Sequence, residues 1–353
     1  MAVSNRPPRN SFVTFARKIY NPIGFSKGYN FVLWFIFGGA LVGFSLARLQ
    51  YLDFYGVFCS SHPSGSSGAA PGECFYWLQT RYTVGIILHL ACILPAALLA
   101  VVQFVPTVRY KAMMFHRING YVVITLAIVS TGAAFSIAEI SFGGGLDIRT
   151  AVGALGIAFI GALVMAYVNV KRLQIEQHRA WMIRAWVWAG CIITTRIIFI
   201  IAVSVPKATT LYYALPCDKL NWLLGDQSRT LSLYPECQSF FSGENPSQHA
   251  SVRQSFTNAH SVAEVTAAMN ASFGMAIWLA WLIHIFGAEL YLHLTPVEAE
   301  RLRRVSYQRQ LEAGMRQPGS AGLTADRLGD SEKWMPPAPI AIERKSSSSP
   351  STS

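Results

Sequence analysis

Charged residues are scarce in this sequence, and their scarcity excludes most soluble classes of protein. Asp, Glu, Lys and Arg make up only 13% of the 353 residues, whereas 52% are hydrophobic and the mean hydropathy is +0.34. A soluble domain carries roughly 25% charged residues. The composition therefore predicts a membrane protein.

Several catalytic and binding motifs are also absent. The sequence has no zinc-type cysteine spacing, Walker loop, nucleophile elbow or dinucleotide fingerprint, so it predicts no metal site. The formal net charge is +11, but the basic residues lie between apolar runs and form no single patch. The expected partners are the lipid bilayer and a lipid-soluble small molecule, and not nucleic acid.

Long apolar runs are abundant, and six of them reach the roughly 20 residues that a bilayer-spanning helix requires. They predict an all-α, polytopic membrane helix bundle. The predicted transmembrane helices lie near residues 29–49, 83–105, 118–139, 150–170, 183–205 and 271–292.

The distribution of Lys and Arg predicts the orientation. With the N-terminus inside, the inner segments carry 21 of these residues and the outer segments carry 7, which makes both termini cytoplasmic. The predicted layout has four parts in a secretory-pathway or plasma membrane. They are a basic cytoplasmic segment (1–28), the membrane domain (29–293), its exocytoplasmic loops (50–82 and 206–270), and a largely disordered cytoplasmic tail (294–353).

Four of the six cysteines fall in the exocytoplasmic loops. Cys59 and Cys74 share the first loop, and Cys217 and Cys237 share the third. Two even pairs suit an oxidising compartment and two local disulfides, although four free thiols remain an alternative. The third loop is too long for a bare connector and predicts a small lid. Asn270 begins a glycosylation acceptor at the mouth of the sixth helix, where no glycan is expected.

Ionisable groups inside a membrane helix cost roughly 2.5–3.5 kcal/mol, so each needs a partner or a purpose. His89, Glu139 and Arg196 all fall in the outer half of the predicted bundle and are the candidate catalytic residues. Glu139 or an acid of the lid is the expected partner of Arg196. The alternative is a structural role, with one buried ion pair and a histidine bonded to a backbone carbonyl.

Three further histidines are candidate cofactor-binding residues. His116 and His178 each precede an arginine at the inner edge of the bundle, and His284 lies in the sixth helix. Imidazoles on facing helices can hold a b-type haem. The alternative is that the His-Arg pairs anchor lipid headgroups. His178 and Arg196 are 18 residues apart, so they share one face if the helix between them is continuous.

These positions resemble those of a known family. The pattern consists of His89, His116-Arg117-x-x-Gly120, His178-Arg179-x-Trp181-Met182-x-Arg184 and Arg196. It resembles the predicted multi-pass membrane proteins grouped as domain of unknown function 2306, in a fungal-type member, over roughly residues 80–205. The resemblance implies that the His and Arg positions form one constellation, and the family implies no established activity.

Several functions fit these features. The preferred interpretation is a His-rich redox bundle that binds a b-type haem or contacts a quinone. The alternatives are a membrane-embedded biosynthetic enzyme acting on a lipid-soluble substrate, a transporter, and a scaffold protein.

Overall fold

The computed structural model describes residues 7–60, 68–205 and 210–336. Six helices in these ranges are long and apolar enough to cross a membrane, and each overlaps a predicted helix. They are Gly28–Leu52, Thr80–Gln103, Met113–Ile137, Leu146–Lys171, Ile175–Ser204 and Val262–His293, called the first to sixth spans below. The prediction of an all-α, multi-pass membrane bundle is confirmed, and the cytoplasmic placement of both termini stays a prediction.

Two spans depart from a regular α-helix. The first contains one wider, π-type turn at Trp34–Gly38. The fifth consists of the helices Ile175–Ala189 and Cys191–Ser204, which meet at Gly190. Because this interruption changes the helical phase, a common face for His178 and Arg196 no longer follows from their spacing.

Shorter elements precede, connect and follow the spans. The additional α-helices in the described ranges are Ser11–Tyr20, Cys74–Trp77, Pro106–Lys111, Cys217–Leu224, Gln227–Leu233, Gln238–Phe241, Pro296–Glu312 and Ala325–Leu328. Two strands, β1 (Tyr212–Pro216) and β2 (His249–Arg253), pair antiparallel with Tyr213 opposite Val252.

The chain forms two compact units. Within the described ranges, the residues up to 163 and those of 183–290 form the first unit, and residues 164–182 and those from 291 onwards form the second.

In the first unit, the second and third spans pack against each other along their length. Small side chains allow the close approach. The fully or almost fully buried alanines are Ala96, Ala97, Ala100 and Ala127. Polar side chains also join the two helices, since Asn119 Nδ2 donates to the Leu99 carbonyl and Gln103 Nε2 donates to the His116 carbonyl.

The lid predicted for the third loop is a small folded layer built on β1, β2 and three short helices. Its buried apolar residues include Leu215, Leu220 and Val252, which pack against Ala263 and Ala267 at the start of the sixth span. Both predicted disulfides are confirmed: Cys59 pairs with Cys74, and Cys217 pairs with Cys237. Asn270 is only 2% exposed, which leaves no room for a glycan on its side chain.

In the second unit, the segment that follows the sixth span differs from the expected disordered tail. As far as residue 336 it carries the helices Pro296–Glu312 and Ala325–Leu328. A buried polar network orders it, because Gln310 Nε2 donates to Gln174 Oε1 and Gln174 Nε2 donates to the Gly319 carbonyl. Residues 337–353, which include the serine-rich end, lie outside the described ranges.

Asp326 is the charged anchor of this segment, and we expect Asp326→Asn to loosen it. Arg303 Nη2 lies 2.7 Å from Asp326 Oδ1, and the Trp334 N–H donates to Oδ2. Burial alone would raise the pKa of Asp326, but hydrogen bonds from Ser320 and Arg303 outweigh it and hold the pKa well below the usual range. A charge-assisted bond contributes about 1.5–3 kcal/mol, so hydrogen-exchange protection of residues 319–334 should fall by at least tenfold at pH 7.

The effect of this substitution depends on pH with a definite sign. A depressed pKa stabilises the folded state above the unfolded-state value of about 3.9 and loses that contribution as the pH falls below it. The difference between wild type and Asp326→Asn should therefore shrink below about pH 4. Equal protection of the two proteins at pH 7 would show that the ion pair does not hold the segment.

Candidate functional site

A pocket of about 340 Å³ opens in the first unit beneath the lid, and we call it the lid pocket. The lid, the first loop and the ends of the second, third, fourth and sixth spans all contribute to its wall. The residues whose side chains carry polar groups are Tyr76, Tyr82, Glu139, Arg149, Tyr213, Lys219, His249 and Asn270.

A buried ion pair lies at this wall. Lys219 Nζ is 3.8 Å from Glu73 Oε1, and the two side chains are 1% and 3% exposed. Neither of these atoms has a hydrogen-bond partner among the described residues. The Lys219 ammonium also lies 4.9 Å from the centre of the Tyr76 ring. A charged pair that is buried yet incompletely hydrogen-bonded is costly to keep, which makes it a candidate for function.

The two disulfides position this pair. Glu73 directly precedes Cys74, and Lys219 follows Cys217 by two residues, so each charged side chain is close to a crosslink. Gly72 has φ +79°, and a Cβ there would come within 3.0 Å of Lys219 Cε. Glycine at position 72 therefore allows the first loop to lie against the lysine stem.

Burial moves both charged groups of the pair towards their neutral forms. It raises the pKa of Glu73, and Lys219, the Phe142 N–H and Arg196 offset this only in part. It lowers the pKa of Lys219, against the opposing charges of Glu73 and Asp218. Shifts of this kind in charged groups at a pocket wall are typical of residues that take part in acid–base catalysis.

The phenols of the pocket remain proton donors. Burial raises the pKa of Tyr76 to about 12, with the charge of Asp218 contributing. Burial also raises the pKa of Tyr213, assisted by Asp147 and Glu73. Both hydroxyl groups are therefore protonated at neutral pH.

A left-handed turn links Glu73 to the third span. Phe142 has φ +49°, an uncommon conformation for a bulky residue, and its N–H donates to Glu73 Oε2 at 2.8 Å. The Phe142 ring stacks on Phe273 with 3.8 Å between the ring centres. The Glu73 carboxylate and this aromatic stack together hold the strained turn in place.

Arg196 lies beside that stack. Its guanidinium carbon is 5.1 Å from the centre of the Phe273 ring and 5.4 Å from that of Phe142. Its Nε is buried and has no hydrogen-bond partner within the described part of the chain. The acid whose charge acts on Arg196 is Glu73, in the first loop.

Glu139, which the sequence named as the expected partner of Arg196 together with an acid of the lid, lies at the pocket rim. It accepts a hydrogen bond from the Tyr82 hydroxyl at 2.9 Å and pairs with Arg81 at 3.1 Å. Arg149 donates to the backbone carbonyl of Glu139. Glu139 therefore belongs to an exposed charged rim, while Arg196 belongs to the buried interior.

Asn270 contributes an amide with no protein partner. Neither its Nδ2 nor its Oδ1 has a hydrogen-bond partner among residues 7–60, 68–205 and 210–336. A Cβ on Gly143, which has φ +83°, would lie 2.8 Å from Asn270 Nδ2 and 2.5 Å from the Tyr213 hydroxyl. The missing side chain of Gly143 therefore allows both groups to lie close against its backbone.

The predicted histidines occupy other positions. His89 Nδ1 lies 3.0 Å from the Ser130 carbonyl and 2.9 Å from the Ser130 hydroxyl, which ties the second span to the third. His284 uses both ring nitrogens, Nδ1 with the Val187 carbonyl at 2.6 Å and Nε2 with the Thr194 hydroxyl at 2.8 Å. In the second unit, His178 Nδ1 contacts the Ala166 carbonyl at 2.9 Å.

These contacts bear on the haem hypothesis. Bis-histidine ligation needs two imidazoles on facing helices, each with one free ring nitrogen. His284 offers no free nitrogen in this conformation. No group of three His, Cys, Asp or Glu side chains in the described ranges could hold a metal ion. His116 and His178 remain predictions as cofactor ligands.

Four residues of the site were not predicted from the sequence: Glu73, Lys219, Tyr213 and Asn270. Two local signals pointed towards Glu73 and Lys219. The motif Pro71-Gly72-Glu73-Cys74 places an acid against a predicted disulfide, and Cys217-Asp218-Lys219 does the same for a base.

Comparisons with known proteins agree with the resemblance seen in the sequence. Residues 86–217 match the model of a family described as "Predicted membrane protein (DUF2306)". "Ava biosynthesis cluster protein G" of Aspergillus versicolor is 24% identical over 328 residues, covering 80% of this chain and 94% of that protein. No solved structure matches the chain significantly. Arg196 and Tyr213 lie inside the family range, whereas Glu73, Lys219 and Asn270 lie outside it.

Proposed function

We propose that the protein is a membrane-embedded biosynthetic enzyme that acts on a lipid-soluble substrate in the lid pocket. The observation that carries the proposal is the buried Glu73–Lys219 pair at the pocket wall, 3.8 Å apart and without hydrogen bonds to Lys219 Nζ or Glu73 Oε1 within the described ranges. Titratable groups shifted by burial and aimed at a pocket are typical of catalytic sites.

The chemistry we assign to the pair is proton transfer. Lys219 lines the pocket, and Glu73 lies behind it. In its neutral form Lys219 accepts a proton from the substrate at Nζ, and the Glu73 carboxylate stabilises the ammonium ion that forms. The same ammonium ion then returns the proton to another atom of the substrate. This cycle needs no external oxidant or reductant.

The surroundings of the pocket support a lipid-soluble substrate. The pocket lies where the spans end, and its wall includes the rings of Tyr76, Tyr82 and Tyr213 and the side chains of Ile140 and Leu215. Aromatic and aliphatic side chains beside polar groups are typical of small-molecule sites. A substrate dissolved in the bilayer reaches such a site along the spans.

The relative supports the biosynthetic part of the proposal. Its name assigns it to a biosynthesis cluster, and its similarity to this chain extends well beyond the family range. The shared length covers most of both proteins, so an activity built on the membrane domain and the lid together is compatible with it.

The redox hypothesis makes a different prediction. It requires that the protein purified in detergent show a Soret band with reducible α and β bands, lost in His116→Ala or His178→Ala. Such a spectrum would favour a b-type haem over the acid–base proposal. The hydrogen bonds at both ring nitrogens of His284 weigh against it.

The proposal is tested with the double variant E73Q/K219M in the organism that encodes the protein. The substitutions keep the size of both side chains and remove both charges together, so that neither charge remains buried alone. General acid–base catalysis contributes about 100- to 10,000-fold, so the double variant should lower the product of the pathway by at least about 100-fold. Solvent extracts of the deletion strain, the wild type and the variant would be compared by mass spectrometry.

The matched control is E298Q/R301Q, which removes an exposed ion pair on the helix Pro296–Glu312. It should restore the wild-type metabolites, and immunoblots should show equal protein in the membrane for all variants. Wild-type levels of product in a strain carrying E73Q/K219M would exclude the pair from catalysis and overturn the proposal.

A further inference from the structure

We propose that the lid pocket recognises an uncharged carboxamide, as a lactam or an open-chain amide, through the side chain of Asn270. This inference rests on the proposed function and names the class of its substrate. Asn270 is 2% exposed and lines the pocket, and neither atom of its amide has a hydrogen-bond partner in the described ranges. A buried amide without partners is rare in folded proteins and calls for an explanation.

A carboxamide satisfies both amide atoms of Asn270 at once. The asparagine side chain carries N–H donors on Nδ2 and a carbonyl acceptor on Oδ1. A carboxamide with one N–H and one carbonyl beside it can pair with it head to tail through two hydrogen bonds. A ketone or an ester accepts from Nδ2 alone and leaves Oδ1 buried without a donor. Leaving one such group unpaired weakens binding by about 10- to 100-fold.

Tyr213 supplies a second donor for the same ligand carbonyl. Its hydroxyl and Asn270 Nδ2 both lie within 3 Å of the position that a Cβ of Gly143 would occupy, at 2.5 and 2.8 Å. The two donors are therefore neighbours, and burial keeps the phenol protonated. A carbonyl oxygen has two lone pairs and can accept from both donors.

The charges around the pocket favour an uncharged ligand over a carboxylate. Lys219 is balanced by Glu73, and Arg149 donates to the backbone carbonyls of Gly144 and Glu139. A carboxylate would place an oxygen against Asn270 Oδ1, where two acceptors repel each other. Both cations therefore direct their observed contacts at protein groups, whereas carboxylate recognition normally uses a cation that contacts the ligand.

The test compares two probes that differ in one atom. They are 6-heptylpiperidin-2-one, a lactam, and 6-heptyloxan-2-one, the lactone in which the ring N–H is replaced by oxygen. Binding to the full-length protein in detergent micelles would be measured by titration calorimetry, with blank micelles subtracted. Wild type should bind the lactam about 10- to 100-fold more tightly than the lactone.

The variants assign this preference to Asn270. Asn270→Leu, of similar size, should bring the ratio of the two affinities to about one, and Tyr213→Phe should weaken both probes about equally. Asn221→Leu is the matched control, because Asn221 Oδ1 is also buried without a hydrogen-bond partner among the described residues, but its side chain does not line the pocket. It should keep the wild-type preference. Equal affinities of the wild type for the two probes, or an unchanged ratio in Asn270→Leu, would overturn the inference.

The experiment separates this inference from the proposed catalysis. E73Q/K219M should keep the preference for the lactam, because neither substituted residue contacts the amide in the proposed mode of binding. A preference that persists in that variant, combined with normal metabolite production, would leave recognition standing and remove the acid–base chemistry. Loss of product in E73Q/K219M, combined with no lactam preference in the wild type, would support the acid–base chemistry and remove the recognition of a carboxamide.

Discussion

Replacing Glu73 alone with leucine is expected to destabilise the protein by about 3–5 kcal/mol, because the buried Lys219 would lose the carboxylate that it pairs with and only the charge of Asp218 would oppose its desolvation. Lys219 is 1% exposed, and Glu73 is the acid that it pairs with. The Phe142 N–H would also lose its acceptor, which removes a support of the left-handed turn. Lys219→Met should be destabilising for the complementary reason, since the Glu73 carboxylate would then lie buried beside a thioether.

The double variant E73L/K219M should be far more stable than the sum of the two single effects predicts. A buried ion pair replaced as a unit by apolar side chains of similar volume is often neutral or even stabilising. The measurement is the temperature at which the protein in detergent loses its monodisperse elution peak, for wild type, both single variants and the double variant. Strictly additive losses would show that the two charges do not stabilise each other.

An exposed pair at the same pocket provides the control. Arg81 and Glu139 lie 3.1 Å apart, but their side chains are 70% and 39% exposed. Water already solvates such a pair, so Arg81→Gln should change stability by less than about 1 kcal/mol. The contrast between the two pairs tests burial as the cause, because both lie at the lid pocket.

The spans and the disulfides could be predicted from the sequence because each depends on neighbouring residues. An uninterrupted apolar run such as 150–170 defines a membrane helix by its length and hydropathy alone. Cys59 and Cys74 are 15 residues apart in one loop, and Cys217 and Cys237 are 20 apart in another, so their pairing follows from proximity.

The catalytic candidates could not be predicted because they meet only in the folded first unit. Glu73 and Lys219 come from different loops, far apart in the sequence, and neither loop has a periodicity that gives its orientation. Arg196 was recognised as costly, but the acid near it depends on how the first loop folds against Phe142. Asn270 lies in an apolar segment. The mean hydropathy of that segment predicts a membrane helix but does not reveal a single amide side chain.

The order of residues 296–336 could not be predicted from composition. Composition measures apolar content, and the segment after the sixth span has little. Its order comes from buried hydrogen bonds among Gln174, Gln310 and the Gly319 carbonyl. Such networks depend on geometry, and the average polarity of a segment does not reveal them.

Removing the lid disulfide with C217S/C237S is expected to cost about 3 kcal/mol of stability, since a crosslink over a loop of this length removes conformational entropy from the unfolded chain. Product formation should fall more than the helical content of the protein. Lys219 lies two residues after Cys217, and its position opposite Glu73 depends on the helix Cys217–Leu224. The crosslink lies within the lid, so the helical structure of the six spans should persist.

Two readouts, helical circular dichroism and product formation, show whether the disulfide positions the site or only stabilises the fold. Well below the melting temperature of the variant, C217S/C237S should retain its helical circular dichroism but lower product formation towards the level of E73Q/K219M. C59S/C74S should act in the same direction through Glu73, the neighbour of Cys74. Cys92→Ser is the control, because Cys92 is a free cysteine in the second span, and it should leave both readouts unchanged. Full product formation by C217S/C237S, despite a lower melting temperature, would mean that the lid holds Lys219 in place without its crosslink.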